Sequence, residues 1–173
     1  MLTDPDEIRR LARSHEAEDL EFRRYVHDHH ISDRPLRERV AGLLAEFDCT
    51  KCGNCCRQTR VEVSAGEIDA IAEGLAMDAD QVRRMYTERG EDSSEILLSQ
   101  PGEECVFLDD GLCMVYESRP EACRQFPAIA LHADLLGNRM SSVCRQAGIC
   151  PVVFEALEEF KHLTGFHPKR RTE

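Results

Sequence analysis

Residues 49–58 read CTKCGNCCRQ, four cysteines within eight positions with the last two adjacent. After an insert without cysteine a second group follows: Cys105, Cys113, Cys123, Cys144 and Cys150. Nine thiols is an odd number, and neighbours such as Cys55 and Cys56 suit a disulfide framework poorly. The first twenty residues, MLTDPDEIRRLARSHEAEDL, carry charge throughout and no apolar run of signal-peptide length, and no window approaches the roughly 20 apolar residues of a membrane span. A cytosolic protein is therefore expected. In a reducing compartment clustered thiols point to metal or cluster ligation, with redox-sensing thiols as the alternative.

The elements around the cysteines follow from spacing. Upstream, Leu36, Val40, Leu43, Leu44 and Phe47 repeat with helical period behind Pro35, so a helix runs directly into Cys49. Before it, Ile8, Leu11, Ala12, Phe22, Tyr25 and Val26 share one face of an exposed amphipathic helix over 5–29, interrupted by His15 and Asp19. Downstream, Val61-Glu62-Val63 alternates as a short strand, and Ser64-x-x-Glu67 is a capping box that opens a helix through Ile68, Ile71 and Leu75. A further helix is expected over 79–89, followed by a loop-rich stretch to Gly102 broken by Ile96-Leu97-Leu98.

Cys105–Cys113 predicts a hairpin. With Asp109-Asp110-Gly111 as a three-residue bulged loop, Leu108 pairs with Leu112 and Phe107 with Cys113, and Cys105, Phe107 and Cys113 share a side. A two-residue loop would split the two cysteines between faces, which disfavours it. Pro120 opens a short helix that Pro127 stops, with Cys123 inside. Residues 128–143 predict two strands around Gly137-Asn138. Val153, Ala156, Leu157, Phe160 and Leu163 mark a last helix between Pro151 and Gly165, with Cys150 at its start.

The expected fold class is α+β: a small, helix-rich single domain with short β-hairpins and an irregular middle organised by cysteine-bound metal. N-terminal helices over 1–47, a cysteine-cluster metal-binding region over 48–150, and a C-terminal helix with a basic tail over 151–173 pack as one domain. Its 173 residues, 42% apolar, suffice for a real core. With 33 acidic against 22 basic side chains the net charge is −11, which repels a phosphate backbone. Neither nucleic acid nor membrane is expected as a partner, while a protein partner is compatible with this surface. Lys169-Arg170-Arg171 reads as a solvated tail.

Neither cysteine group need be a self-contained site. Tetrahedral zinc takes C-x2-C pairs from two segments, and iron–sulfur clusters take four thiolates from one or several. The first three cysteines match the start of a bacterial ferredoxin run, but the fourth follows immediately instead of after three residues. Adjacent cysteines on an extended backbone rarely face one ion, so Cys55 and Cys56 are expected to serve different metals or to leave one sulfur outside the ligand set. Eight or nine thiols would suffice for two four-ligand sites. A four-thiolate centre carries net negative charge, and Arg57, Arg124, Arg145 and Lys51 adjoin cysteines as candidate counter-charges, with Arg119 the better buried candidate and Arg124 beside it. His27-Asp28-His29-His30 reads as a solvated cluster at a helix end. No serine–histidine arrangement stands out, and the site contains no identified catalytic residue.

FDCTKCGNCCR followed by CVFLDDGLCMVYESRPEACRQFP resembles the YkgJ-type cysteine-cluster proteins, a zinc- or iron-chelating family. The resemblance covers residues 45 to 150 and implies that Cys49, Cys52, Cys55, Cys56, Cys105, Cys113 and Cys123 bind metal, with Cys144 at the family's downstream cysteine. Cys150 has no place in the pattern. The module also occurs in flagellin lysine methylases, but this chain shows neither a glycine-rich strand-to-helix turn for S-adenosylmethionine nor a C-x3-C-x2-C triplet. The expected cofactor is an iron–sulfur cluster of 4Fe-4S type serving a redox or enzyme-accessory role. The alternatives are a structural zinc module for protein–protein interaction, or a metal buffer or chaperone.

Overall fold

In the computed structural model the described residues are 2–90, 95–97, 104–130 and 140–168. In chain order they form helices α1 (Pro5–Asp28), α2 (Arg34–Glu46), α3 (Ala65–Leu75), α4 (Ala79–Tyr86), α5 (Glu121–Arg124), α6 (Met140–Ala147) and α7 (Pro151–Leu163). The strands are β1 (Glu62–Val63), β2 (Thr87–Arg89), β3 (Glu95–Leu97), β4 (Leu108–Asp109) and β5 (Leu112–Cys113). The fold class is α+β and helix-rich. The chain divides into two compact units, one made of Met1–Asp48 with Pro127–Glu173 and the other of Cys49–Phe126.

The first unit is helical. Asp4 caps α1 by accepting from the Glu7 backbone N–H at 2.8 Å, and Pro5 stands in the first turn. Phe22 of α1 meets Phe160 of α7 edge-on at 5.8 Å and Phe166 at 5.0 Å, so apolar area on both helices leaves water. The polar residues that interrupt the α1 face have partners on α7. His15 stacks on Phe154 and approaches Glu158 at 3.2 Å. Asp19 meets Lys161 at 2.6 Å, and Glu18 and Glu158 reach the same ammonium at 2.9 and 2.7 Å.

Lys161 retains only 4% of its side-chain exposure. Burial by itself would depress its pKa, but the bonds it donates to Asp19, Glu158 and Glu18 outweigh that and raise it. The Asp19 carboxyl is raised as well, by burial first and by repulsion from Glu158, against the pull of Lys161. Three carboxylates around one ammonium leave excess negative charge, which favours a bound proton on acid and base alike.

Two expectations for this part of the chain are corrected. Met140–Ala147 is a helix, not a strand, because Met140, Val143 and Ala147 bury one face at spacings of three and four. Ala128–Ala130 is a 3-10 turn, and the Gly137-Asn138 turn lies outside the described residues. The last helix is as expected, with Cys150 at its N-cap, Pro151 in the first turn, and Gly165 at φ 69° beyond its end.

The second unit gathers Val61, Val63, Ile68, Ile71, Ala72, Val82, Leu97, Phe107 and Val115 into one core. Ser64 and Glu67 form the expected capping box on α3. A three-stranded antiparallel sheet in the order β1-β3-β2 lies in this unit, with Glu62 opposite Ile96 and Thr87 opposite Leu97. The helix expected to run to residue 89 therefore stops at Tyr86. Thr87 turns extended to pair with β3, while its hydroxyl caps the Arg83 carbonyl at 2.8 Å.

Candidate metal centre

The first cysteine segment is wound rather than extended. Cys49–Lys51 and Cys55–Arg57 are 3-10 turns, separated by Gly53 at φ 63°, a left-handed conformation that favours glycine. The expectation that Cys55 and Cys56 diverge rested on an extended backbone. On a tight helical turn consecutive side chains are no longer opposed, and the two sulfurs stand 4.0 Å apart.

The hairpin register is also corrected. Leu108 pairs with Cys113 and Asp109 with Leu112, leaving Asp110-Gly111 as a two-residue loop. Both loop residues have positive φ, 44° and 80°, the combination whose twist matches that of the flanking strands. The alternation argument against this loop fails because Cys105 is not on the ribbon. Its carbonyl accepts from the Leu108 N–H at 2.9 Å in a tight turn, while its own N–H donates to the Cys56 carbonyl at 2.7 Å. That last bond ties the two cysteine segments together directly.

Arg57 reinforces the junction. Its guanidinium donates to the Cys52 carbonyl at 3.0 Å and to the Glu104 carboxylate at 3.0 Å. A Cβ at Gly53 would come within 2.7 Å of this guanidinium, and one at Gly111 within 3.7 Å, so the arginine crosses between the cysteine loop and the hairpin turn where glycines leave room. Cys105, Cys113 and Cys123 pack against the apolar core, in which Phe107 is 2% exposed.

The thiols of this unit share one electrostatic environment. The Cys55 and Cys56 sulfurs share a hydrogen bond, and this bond, with Arg57 and Arg119 helping against burial, brings Cys56 down to about 7. Cys55 is pushed up by the same bond, by burial and by the fields of Cys56, Cys123 and Cys52. Burial raises Cys105, with Cys56 and Cys113 adding to it against a bond from the Phe107 N–H. Cys113 is raised by burial and Cys56, opposed by the Val115 N–H and Arg119. Cys123 is pushed up to about 12 by burial, then by Cys56, Cys105 and Cys113. Six cysteines, 52, 55, 56, 105, 113 and 123, are thus linked through their fields. Cys49 is exposed at the edge of the group.

The predicted counter-charges separate. Arg119 lies over the Tyr116 ring at 3.7 Å, donates to the Tyr116 carbonyl at 3.1 Å, and its field reaches Cys56, Cys113 and Cys123. Arg124 pairs with Glu121 at 3.3 Å on the surface. Arg57 is the built-in cation, and its position beside Cys56 was its sequence signal; nothing in the sequence pointed to Glu104 as its partner. Cys144 and Cys150 lie in the helical unit. On α6, Cys144 is pushed up to about 12 by burial and Asp19, with Lys161 and Arg23 opposing. Cys150 is 7% exposed and donates its N–H to the Gln146 carbonyl at 2.7 Å.

This donor set fits a thiophilic metal. Residues 49–126 contain no histidine, so no imidazole is available as a ligand, and the soft donors are the thiols with the thioethers of Met77, Met85 and Met114. Arg57 and Arg119 are cations whose fields lower thiol pKa values in this unit and would offset part of the charge of a thiolate centre. Among the described residues no three cysteine sulfurs all lie within 4.8 Å of one another. The group that does have its donor atoms that close, His15, Glu18 and Glu158, already bonds the Lys161 ammonium through its carboxylates.

An α+β unit that gathers half-buried thiols from a wound cysteine loop, a hairpin and a one-turn helix is a cysteine-cluster metal-binding protein. The chain belongs to the CxxCxxCC family, described as "Putative zinc- or iron-chelating domain", whose model matches residues 48–150. No curated protein and no solved structure matches the chain.

Proposed function

We propose that the cysteine unit binds an iron–sulfur cluster of 4Fe-4S type and that the protein serves a cytosolic redox or enzyme-accessory role, exchanging electrons with a protein partner. The observation that carries this reading is the way the fold joins the two cysteine segments into one group of thiols: the Cys105 N–H donates to the Cys56 carbonyl at 2.7 Å, the Cys55 and Cys56 sulfurs stand 4.0 Å apart, and Cys105, Cys113 and Cys123 pack against the same core. Such a group of thiols gives up its protons together only to a cation of high charge. Cys52, Cys55, Cys56, Cys105, Cys113 and Cys123 would supply the ligands, with Cys49 at the edge, and Arg57 and Arg119 would offset the remaining negative charge. The cluster, when bound, supplies one-electron chemistry. The donors favour it over zinc because they are all thiolate and come from several segments.

A structural zinc site is the second reading, favoured by the family description, which names zinc beside iron. Protein purified without oxygen decides between them by metal and sulfide analysis with absorption and Mössbauer spectra. Brown protein whose absorption bleaches on reduction or in air is the expected result. Colourless protein with stoichiometric zinc overturns it, and metal released to a weak chelator from folded protein identifies a buffer.

A further inference from the structure

Glu67 stands in the first turn of α3 and divides its two oxygens between two tasks. Oε2 completes the capping box, accepting from the Ser64 backbone N–H at 2.7 Å and from the Ser64 hydroxyl at 2.7 Å. Oε1 accepts from the backbone N–H of Glu121 at 2.8 Å, 54 residues further along the chain. Glu121 opens α5, the four-residue helix that carries Cys123, and Pro120 before it provides no side-chain cap. A single turn of helix does not persist alone in water, so the place of α5 depends on what holds its ends.

The far end of α3 meets the same segment. Gly74, seven residues and about two turns after Glu67, lies on the same face of the helix. A Cβ there would come within 2.7 Å of the Ser118 hydroxyl oxygen. Ser118 and Glu121 both belong to the stretch between Cys113 and Cys123. α3 therefore touches at two points the segment that connects two of the candidate ligands.

We infer that Glu67 is a positioning residue of the metal centre: its carboxylate fastens α5, and with it Cys123, to α3. The inference rests on the metal-binding reading of the cysteines. A capping box alone does not account for the geometry, because it uses one oxygen and leaves the other free to turn to water. Backbone bonds from Ser64 and Glu121 also hold the Glu67 carboxyl below the usual range, so both acceptors are present at neutral pH.

Four single variants of the 173-residue chain, reduced and free of oxygen, test this with Cd²⁺ as the probe. Glu67→Gln keeps one acceptor and cannot serve both Ser64 and Glu121. Glu121→Pro deletes the donated N–H at a first-turn position that tolerates proline, together with the side chain that accepts from Arg124 and Gln125, and leaves the capping box intact. Ser64→Ala weakens the α3 cap without touching the Oε1 bond, and Glu121→Ala controls for the lost side chain. Affinity is read by chelator competition, and the ligand count by the thiolate-to-cadmium charge-transfer intensity per bound ion.

Glu67→Gln and Glu121→Pro should each bind about ten- to a hundredfold more weakly, the usual effect of losing a group that orients a ligand, with about one thiolate's share of the intensity gone. Ser64→Ala and Glu121→Ala should bind nearly as the parent does. Unchanged affinity and intensity in Glu121→Pro overturn the inference. Equal losses in Ser64→Ala and Glu67→Gln also overturn it, since the site would then respond to α3 stability alone. A parent protein without any charge-transfer band removes the metal reading itself, and the inference with it.

Discussion

Loading the cysteine unit with a divalent metal at pH 7 should release between three and four protons per bound ion. The count follows from the thiols. Cys55, Cys105, Cys113 and Cys123 are held neutral at that pH by burial and by one another, whereas Cys56, brought to about 7 by its bond with Cys55 and by Arg57 and Arg119, is about half ionised. A four-thiolate site that includes Cys56 thus gives up about three and a half protons, and one that excludes it about four. The apparent affinity should rise by about three to four decades per pH unit between pH 6 and 7, because proton and metal compete for the same sulfurs. Calorimetric titration with Zn²⁺ in two buffers of different ionisation enthalpy measures the release. Fewer than two protons per ion would refute the reasoning, for it would mean that the ligands are ionised beforehand or are not these cysteines.

Lys161→Met leaves the carboxylates of Glu18, Asp19 and Glu158 facing each other without their cation, and should cost about 3 kcal/mol, as breaking a buried ion pair does, seen as a melting temperature lower by about 6–12 °C. Since the Lys161 pKa is raised in the fold, its contribution is complete below its ordinary 10.5 and is lost as pH rises through the raised native value; the melting difference between parent and variant should hold steady from pH 7 to 10 and shrink above that. Asp19 also has a raised native pKa, so the difference in melting temperature between parent and Asp19→Asn should grow in the parent's favour as pH falls from the native value toward 3.8. Gly53→Ala places a methyl group within 2.7 Å of the Arg57 guanidinium at a positive φ, and should cost about 1–2 kcal/mol in chemical denaturation from backbone strain alone. Cys123→Ser should lower metal per chain and speed proteolysis within 49–126, while circular dichroism retains most of the α2 and α7 helicity.

Local chemistry was legible from the residues. The run into Cys49, the capping box at Ser64 and Glu67, the short helix around Cys123 between two prolines, and the last helix between Pro151 and Gly165 all depend on neighbours within a turn or two. The absence of an imidazole ligand is likewise a property of composition, since 49–126 lacks histidine. The hairpin loop was not legible, because Asp109-Asp110-Gly111 suits two registers. The turn at Cys105, held by the Cys56 carbonyl, removes the alternation that had argued against the two-residue loop. The end of α4 required a partner strand at Glu95–Leu97, and the helical period in Met140–Ala147 was too short to read against a strand. His15 and Asp19 looked like flaws in an apolar face until Lys161 and Glu158 came alongside. Glu67 showed its capping oxygen in the sequence but not the one that reaches Glu121. Caps and periodicity are short-range and survive in a one-dimensional string, whereas registers, ion pairs and shared thiol fields exist only when residues far apart in the chain are brought within a few ångströms.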